Sequence, residues 1–289
     1  MKEYENMKFN KEKVMFSLEI FPPKPDAPID TIYSTLDNVK KLEPDFISVT
    51  YGASGKNNSS RTFQIASDIK KKYGIESVAH LSCVGLTKDE ISDKLNELKI
   101  LDIKNILALR GDIPEDCIKN GDFRYASDLI SFIKEKSDFN ILAACYPEGH
   151  IESKCQDEDI RHLKTKVDAG ADGLITQLFL DNSYFYSFMD KTQKAGISVP
   201  VEAGIMPVVN SKQIKRMATL CGASIPPKFL TMMNKYGDDK IAMRDAGISY
   251  AIDQIVDLIA NGVNGIHLYT MNNSYIAEKI HEAVKNIIK

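Results

Sequence analysis

Short apolar segments alternate with longer amphipathic segments along almost the whole chain. The apolar runs are rich in β-branched and aromatic residues, so each predicts a strand. Eight such runs cover residues 16–21, 46–51, 77–83, 105–111, 140–146, 173–179, 199–206 and 265–271. Several stretches between them repeat apolar positions at helical spacing, as in 29–42, 88–101, 125–136 and 157–169. The chain therefore reads as repeated strand–helix units, which pack around a parallel sheet.

Eight strand–helix units in 289 residues predict a (β/α)8 TIM barrel. The longer segment between the seventh and eighth strands contains about three helical pieces, and Pro226 with Pro227 marks the start of one of them. No linker, low-complexity tract or block of like charge interrupts the pattern. We therefore expect one domain over residues 1–289.

Composition and charge exclude several classes of partner. Charged residues make up 27% of the chain and the formal net charge is −3, so no broad positive field is available for nucleic acid or an anionic membrane. The N-terminus lacks the apolar core of a signal peptide, which predicts a cytoplasmic protein. The five cysteines are scattered and form no C-x-x-C pair, so we expect reduced thiols and no metal site.

A TIM barrel carries its chemistry at the carboxyl ends of its strands. Polar residues collect near these predicted ends: Glu19, Thr50, His80, Arg110, Asp112, Tyr146, Gln177, Glu202 and Tyr269. Any one of them alone could be a structural residue of the rim. Their convergence on one mouth indicates a site.

Glu19 and the segment Arg110-Gly111-Asp112 have the most specific chemistry. A carboxyl within a strand is poorly solvated, which favours its protonated form and suits a general acid, although a salt-bridged structural glutamate fits the same position. Arg110 can donate two bonds to a phosphate or carboxylate, and Asp112 can accept from a ring N–H or amino group. Together they indicate a ligand that carries both kinds of group.

Neither common phosphate-binding motif is present. The chain has no G-x-G-x-x-G, and the glycines near Lys56 lack P-loop spacing. A dinucleotide would therefore have to be held by the barrel itself. Candidate ribose and phosphate contacts follow the fifth strand at Tyr146, His150, Asp159, His162 and Lys166, where a solvated helix face is the alternative for the helical part.

Nine segments, in order along the chain, form a combined pattern: SLEIFPP at 17–23, SVTYGA at 48–53, HLSC at 80–83, ALRGD at 108–112, YASD at 125–128, ACYPEGH at 144–150, TQLFLD at 176–181, GIMP at 204–207 and HLYT at 267–270. Together these segments resemble methylenetetrahydrofolate reductases of the bacterial type. The resemblance implies non-covalent FAD, NADH or NADPH as the hydride donor, and ping-pong reduction of 5,10-methylenetetrahydrofolate to 5-methyltetrahydrofolate. It also implies a place in one-carbon metabolism and methionine biosynthesis, and a homo-oligomer.

The resemblance also implies roles for individual residues. Glu19 matches the general acid that protonates N10 of the folate, and Asp112 matches a carboxylate between flavin and folate. Gln177, Gln213 and Tyr269 are expected to contact the substrate. The expected FAD contacts are Thr50, Tyr51, Ala53, His80, Arg110, Gly111, Asp112, Ala126, Tyr146, His150, Asp159 and Lys166.

Four positions depart from the family pattern. Asn273 stands in place of an arginine that helps to bind the glutamate tail of folate, and Met217 in place of a stacking aromatic ring. His162 and Thr165 replace polar residues of the usual FAD site. Two alternatives remain: the same folate chemistry with electrons from a partner protein, or a non-flavin barrel lyase or aldolase. A flavin absorption band would exclude the second.

Overall fold

The computed structural model describes residues 13–24, 27–51, 59–112 and 121–288. Eight parallel strands form a closed barrel in which neighbours in sequence pair and the last strand pairs with the first. The strands are β1 Met15–Ile20, β2 Phe46–Val49, β3 Glu76–Ser82, β4 Asn105–Leu109, β5 Asn140–Cys145, β6 Gly173–Thr176, β7 Val201–Ile205 and β8 Gly265–Tyr269. The predicted (β/α)8 barrel is confirmed.

Helices follow the strands and form the outer layer of the barrel. They are α1 Asp30–Val39, α2 Ser59–Asp68, α3 Lys88–Ile100, α4 Ala126–Lys136, α5 Gln156–Asp168, α6 Asn182–Lys194, α7 Ser211–Cys221, α8 Pro227–Tyr236, α9 Lys240–Ala260 and α10 Ser274–Val284. The three helical pieces expected before β8 are α7, α8 and α9, and Pro227 is the first residue of α8. Among the described residues, no helix has both the length and the apolar character needed to cross a membrane.

Successive residues of each strand face opposite sides, which separates two cores. In β1, Phe16, Leu18 and Ile20 pack against the helices in the main core. The other face points into the barrel, where one apolar residue from each of β1 to β6 forms what we call the interior layer. Its members are Met15, Phe46, Val78, Leu107, Leu142 and Ile175. The inward face of β1 continues with Ser17 and Glu19.

On β7 and β8, Glu202 and Gly265 occupy the level of the interior layer. In the strand register, Glu202 of β7 is the partner of Ile175 on β6 and of Gly265 on β8. Gly265 is in turn the partner of Met15 on β1. The expectation that Glu202 lies at the mouth is therefore wrong. It is the second residue of β7 and fully buried, because the strand runs on to Ile205 before its carboxyl end is reached.

Candidate functional site

Glu19 projects from the inward face of β1 toward the mouth of the barrel. Its Oε2 lies 3.5 Å from Nε2 of His80 and 3.5 Å from Nε2 of His267. The side chain is 19% exposed. Its backbone carbonyl accepts a 2.7 Å hydrogen bond from the hydroxyl of Thr270. Glu19 is thus a carboxyl at the edge of solvent, held on a rigid strand.

Beneath Glu19 a row of polar side chains runs into the barrel. The Nδ1 atom of His267 lies 2.6 Å from Ser17 Oγ, and its Nε2 atom lies 3.3 Å from Ser48 Oγ. The Ser17 hydroxyl donates to Glu202 Oε2 at 2.5 Å. We call Glu202, Ser17, His267 and Ser48 the buried polar chain, and Glu19 lies at its open end. All four members are fully buried.

His80, on β3, contributes a neutral imidazole beside Glu19. Burial lowers the pKa of His80 to about 4, and this outweighs the opposing attraction of Glu19. Its Nε2 is buried and makes no hydrogen bond to any residue that the structure describes. The imidazole therefore places no positive charge beside Glu19 near neutral pH, and its Nε2 faces the Glu19 carboxyl.

Tyr269 closes one side of the mouth at the end of β8. Its hydroxyl donates to the carbonyl oxygen of Thr176 at 2.6 Å. This crossing requires Gly204 on β7, because a Cβ there would lie 2.3 Å from that oxygen and 2.6 Å from the Tyr269 hydroxyl. Burial raises the pKa of Tyr269 far above its usual value, so the phenol stays protonated.

A small cleft of about 30 Å³, partly open to solvent, adjoins Tyr269. Its walls include Gln213 and Met217 from α7, and Met206 and Met271 from the loops after β7 and β8. Gln177, which follows β6, is half-buried, and its Oε1 accepts from the backbone N–H of Leu178. The walls of the cleft are mainly apolar, and Gln213 is among the few polar groups on them.

The loop after β8 is anchored to the end of β1. The amide nitrogen of the Asn272 side chain donates to Phe21 O at 2.8 Å, and its oxygen accepts from Phe21 N at 3.0 Å. Met271 and Asn272 have φ values of 50° and 54°, a conformation that asparagine tolerates better than methionine. Asn273 caps α10 by accepting from the N–H of Ile276. Its side chain therefore has a structural task at the start of this helix.

A second group of predicted residues lies around β4, β5 and α5. Arg110 forms a two-bond ion pair with Glu152, at 2.6 and 2.8 Å. The rings of Tyr146 and His150 meet edge to face at 4.7 Å, and Lys166 Nζ lies 5.6 Å from the Tyr146 ring. The structure thus brings four of the predicted FAD contacts together.

Lys166 and Asp159 supply the charges on the inner side of this group. Lys166 Nζ donates to Ala144 O at 2.6 Å, and Asp159 accepts from the Ser153 hydroxyl at 3.2 Å. Burial lowers the pKa of Lys166, while Asp159 and Cys145 oppose that shift. A lysine that has used one of three donors can give the remaining two to an anionic ligand.

Gly111 provides a bare stretch of backbone between the two groups. Its φ is +87°, and a Cβ would lie 2.0 Å from the hydroxyl oxygen of Ser82, so a side chain cannot be accommodated. Asp112 follows as an exposed carboxylate. The other predicted FAD contacts lie at element ends: Thr50 and Tyr51 just after β2, and Ala126 at the start of α4. Ala53 lies outside the described residues.

The donor set fits an anionic dinucleotide. Arg110 and Lys166 are cations suited to phosphate, and Asp159 can accept from ribose hydroxyls. His80 adds a buried Nε2 without a hydrogen-bond partner among the described residues. Gly111 permits close approach of a ligand to the backbone. Within the part of the chain that the structure describes, no group of three or more His, Cys, Asp or Glu side chains could hold a metal ion.

Several residues of the site were not among the sequence predictions. Ser17 and Ser48 precede polar residues by two positions on their strands, so strict alternation could have found them. His267 is likewise two positions before Tyr269. Glu152 is exposed and lies 42 residues from Arg110 in sequence, and no local pattern indicates their pairing. His162 and Thr165 lie exposed on α5.

The sequence is similar to those of known enzymes over nearly the whole chain. A sequence model of the family described as Methylenetetrahydrofolate reductase matches residues 5–285. The 5,10-methylenetetrahydrofolate reductase of Escherichia coli (strain K12) is 37% identical over 268 residues, which cover 93% of this chain and 90% of that protein. The enzyme of the same name from Buchnera aphidicola is 38% identical over 279 residues, with 96% and 92% covered.

Among solved structures, the fold is similar to that of an uncharacterized protein from Clostridium thermocellum. That protein binds two copies of 5-methyl-5,6,7,8-tetrahydrofolic acid. The match has a TM-score of 0.62 and covers 95% of both chains at 14% sequence identity. At this identity the likeness concerns the barrel fold.

Proposed function

The chain belongs to the methylenetetrahydrofolate reductase family, and we propose that it reduces 5,10-methylenetetrahydrofolate to 5-methyltetrahydrofolate with Glu19 as the general acid. The observation that carries the proposal is the position of the Glu19 carboxyl. It lies at the mouth of the barrel between two imidazoles, and its strand neighbour Tyr269 lines the cleft. A carboxyl in this position can meet a small molecule bound over the barrel.

The proposed cofactor is FAD, which when bound accepts hydride from NADH or NADPH and passes it to the folate. Arg110, His150 and Lys166 would hold its phosphates, and Asp159 its ribose. Thr50, Tyr51, His80, Gly111, Ala126 and Tyr146 would complete the contacts, with Ala53 as a further candidate. Because one mouth serves both the nicotinamide and the folate, the two would bind in turn, which gives a ping-pong order.

Glu19 would hold a proton and deliver it to N10 of the folate. The neutral state of His80 favours this role, because a cationic imidazole at 3.5 Å would stabilise the ionised carboxylate instead. Protonation of N10 opens the five-membered ring and leaves an electrophilic iminium group. Asp112, an exposed carboxylate, would stabilise the positive charge that develops on the folate.

The cleft beside Tyr269 is the proposed binding surface for the folate ring. Gln177 and Gln213 would supply polar contacts, and Tyr269 its ring, since its hydroxyl proton is already given to Thr176. Met217 offers an apolar contact for nicotinamide in place of aromatic stacking. The absence of a cation at Asn273 predicts weaker binding of the glutamate tail than in relatives that have arginine there. We propose a homo-oligomeric assembly on the basis of the family resemblance alone.

Anaerobic stopped-flow spectroscopy tests the proposed function. The purified protein is mixed with NADH or NADPH and then with 5,10-methylenetetrahydrofolate while the flavin absorption band is followed. We expect bleaching in the first mixing and recovery in the second. A protein without a flavin band would contradict the proposal. A band that bleaches only with 5-methyltetrahydrofolate, in the reverse direction, would keep the folate chemistry and identify a partner protein as the electron donor.

A further inference from the structure

Glu202 is a buried carboxyl in the barrel that the proposed function does not use. Around it the interior layer is apolar, and Gly265 leaves the space that it fills: a Cβ on Gly265 would lie 2.7 Å from Glu202 Cγ. Burial of a carboxyl group without compensation costs free energy. One oxygen bonds to Ser17, and the other, Oε1, makes no hydrogen bond within the described part of the chain. Ser17 is therefore the contact through which Glu202 acts.

The hydroxyl of Ser17 has a single proton, and this fixes the direction of the hydrogen bonds. When Glu202 is ionised it can only accept, so Ser17 donates to it. The 2.6 Å contact between Ser17 Oγ and His267 Nδ1 then requires a proton on Nδ1. In a neutral imidazole the other nitrogen, Nε2, is left as an acceptor. That atom faces Glu19 Oε2 at 3.5 Å.

We propose that Glu202 is a positioning residue that fixes the tautomer of His267 through Ser17, and so presents an acceptor nitrogen to the Glu19 carboxyl. An acceptor at Nε2 interacts favourably with a protonated Glu19 carboxyl, whereas an N–H there would interact favourably with the carboxylate. The inference rests on the proposed role of Glu19 as general acid. It adds that Glu202, which lies at the level of the interior layer, influences the pH dependence of the folate half-reaction.

The groups around Glu202 leave His267 as its main polar neighbour. Ser17 of β1 links Glu202 to His267 of β8 by hydrogen bonds, and Ile175, the register partner of Glu202 on β6, is apolar. Asp45, in the loop before β2, adds a more distant negative charge. Desolvation dominates, and burial raises the pKa of Glu202 to about 7. Above that pH the ionised carboxylate imposes the Nδ1–H tautomer.

Nitrogen NMR of the protein labelled with [15N]histidine tests the tautomer directly. The His267 signals are assigned by their loss in His267→Asn. At pH 9 we expect the proton of His267 on Nδ1 in the wild type and on Nε2 in both Glu202→Met and Ser17→Ala. Each variant breaks the hydrogen bonds that run from His267 through Ser17 to Glu202. The same His267 tautomer in the wild type and both variants would overturn the proposal. Two independent variants keep the test open if one fails to fold.

The pH dependence of the folate half-reaction tests the link to Glu19. In Glu202→Met we expect the pH at which the rate falls to half to move down by about one unit. Asp68→Asn is the matched control, because Asp68 is a buried carboxylate on α2, where it bonds Tyr33 outside the barrel. An unchanged profile in Glu202→Met would overturn the proposal. If Glu19→Gln slows both half-reactions equally, the role of Glu19 fails instead, and the tautomer result is unaffected.

Discussion

Glu19 and His267 lie on neighbouring strands, β1 and β8, with Glu19 Oε2 3.5 Å from His267 Nε2. This contact joins the exposed mouth of the barrel to the buried polar chain beneath it. A general acid must keep its proton until the substrate binds, and its immediate neighbours decide whether it does. The two imidazoles beside Glu19 are therefore as important to the proposed chemistry as the carboxyl itself.

The stability of the protein should depend on pH through Glu202. Burial raises the pKa of Glu202 to about 7 from 4.5, so the folded state binds more protons and loses stability as the pH rises through this window. Burial lowers the pKa of His80 to about 4 from 6.5, so His80 makes the free energy of unfolding rise with pH between these values. This contribution is the same in the wild type and in Glu202→Met. The free energy of unfolding of Glu202→Met should exceed that of the wild type by about 2 kcal/mol at pH 8.

Urea denaturation at pH 5 and pH 8 measures this difference. We expect the advantage of Glu202→Met to shrink toward pH 5, where the wild-type carboxyl is protonated in the folded state. A difference that is the same at both pH values would show that Glu202 does not titrate in this window.

Asn272 should affect catalysis and stability separately. Both Asn272→Ala and Asn272→Gly remove the two bonds to Phe21 and loosen the end of β1 that carries Glu19, so both should slow folate reduction to a similar degree. Only alanine is strained at φ 54°, so the free energy of unfolding of Asn272→Ala should be about 1 kcal/mol lower than that of Asn272→Gly. Single-turnover rates and urea denaturation measure the two effects. Equal stability of the two variants would contradict the assigned backbone strain.

Much of the fold follows from the sequence, since eight apolar runs separated by amphipathic segments leave few alternatives to a closed barrel. Alternation along β1 also predicts that Ser17 and Glu19 share a face. The partners of these residues could not be predicted in the same way. The sequence predicts Glu202 at the mouth, but the register of β7 against β8 pairs it with Gly265, deep in the barrel, and a local pattern does not encode that register. The Arg110–Glu152 pair depends on how two loops meet, which no local pattern encodes.

The ion pair between Arg110 and Glu152 should compete with the cofactor. Both bonds of the arginine fork are taken by Glu152, whose side chain is 56% exposed. Glu152→Gln removes the competing charge and should tighten FAD binding several-fold, measured by flavin fluorescence quenching on the flavin-stripped protein. Asp190→Asn, which breaks an exposed pair with Lys194 on α6, is the matched control. Weaker FAD binding in Glu152→Gln would show that Glu152 orients the arginine for the cofactor.

Asp112 should influence the reduction potential of the flavin. A negative charge near the ring disfavours the electron-rich reduced form, so Asp112→Asn should raise the midpoint potential by about 30 mV. The same change should weaken folate turnover, because the developing positive charge loses its partner. Redox titration of the bound flavin gives the potential. An unchanged value would place Asp112 away from the ring.

The two half-reactions of Glu19→Gln test the central claim most directly. Glutamine keeps the shape of the side chain but has no carboxyl proton to give, and only the folate half-reaction needs that proton. Anaerobic stopped-flow should show flavin reduction by the nicotinamide donor close to the wild-type rate, and reoxidation by 5,10-methylenetetrahydrofolate slower by about a hundredfold or more. Glu282→Gln, an exposed carboxyl on α10, is the control. Equal loss in both half-reactions would contradict the role of Glu19 as the general acid.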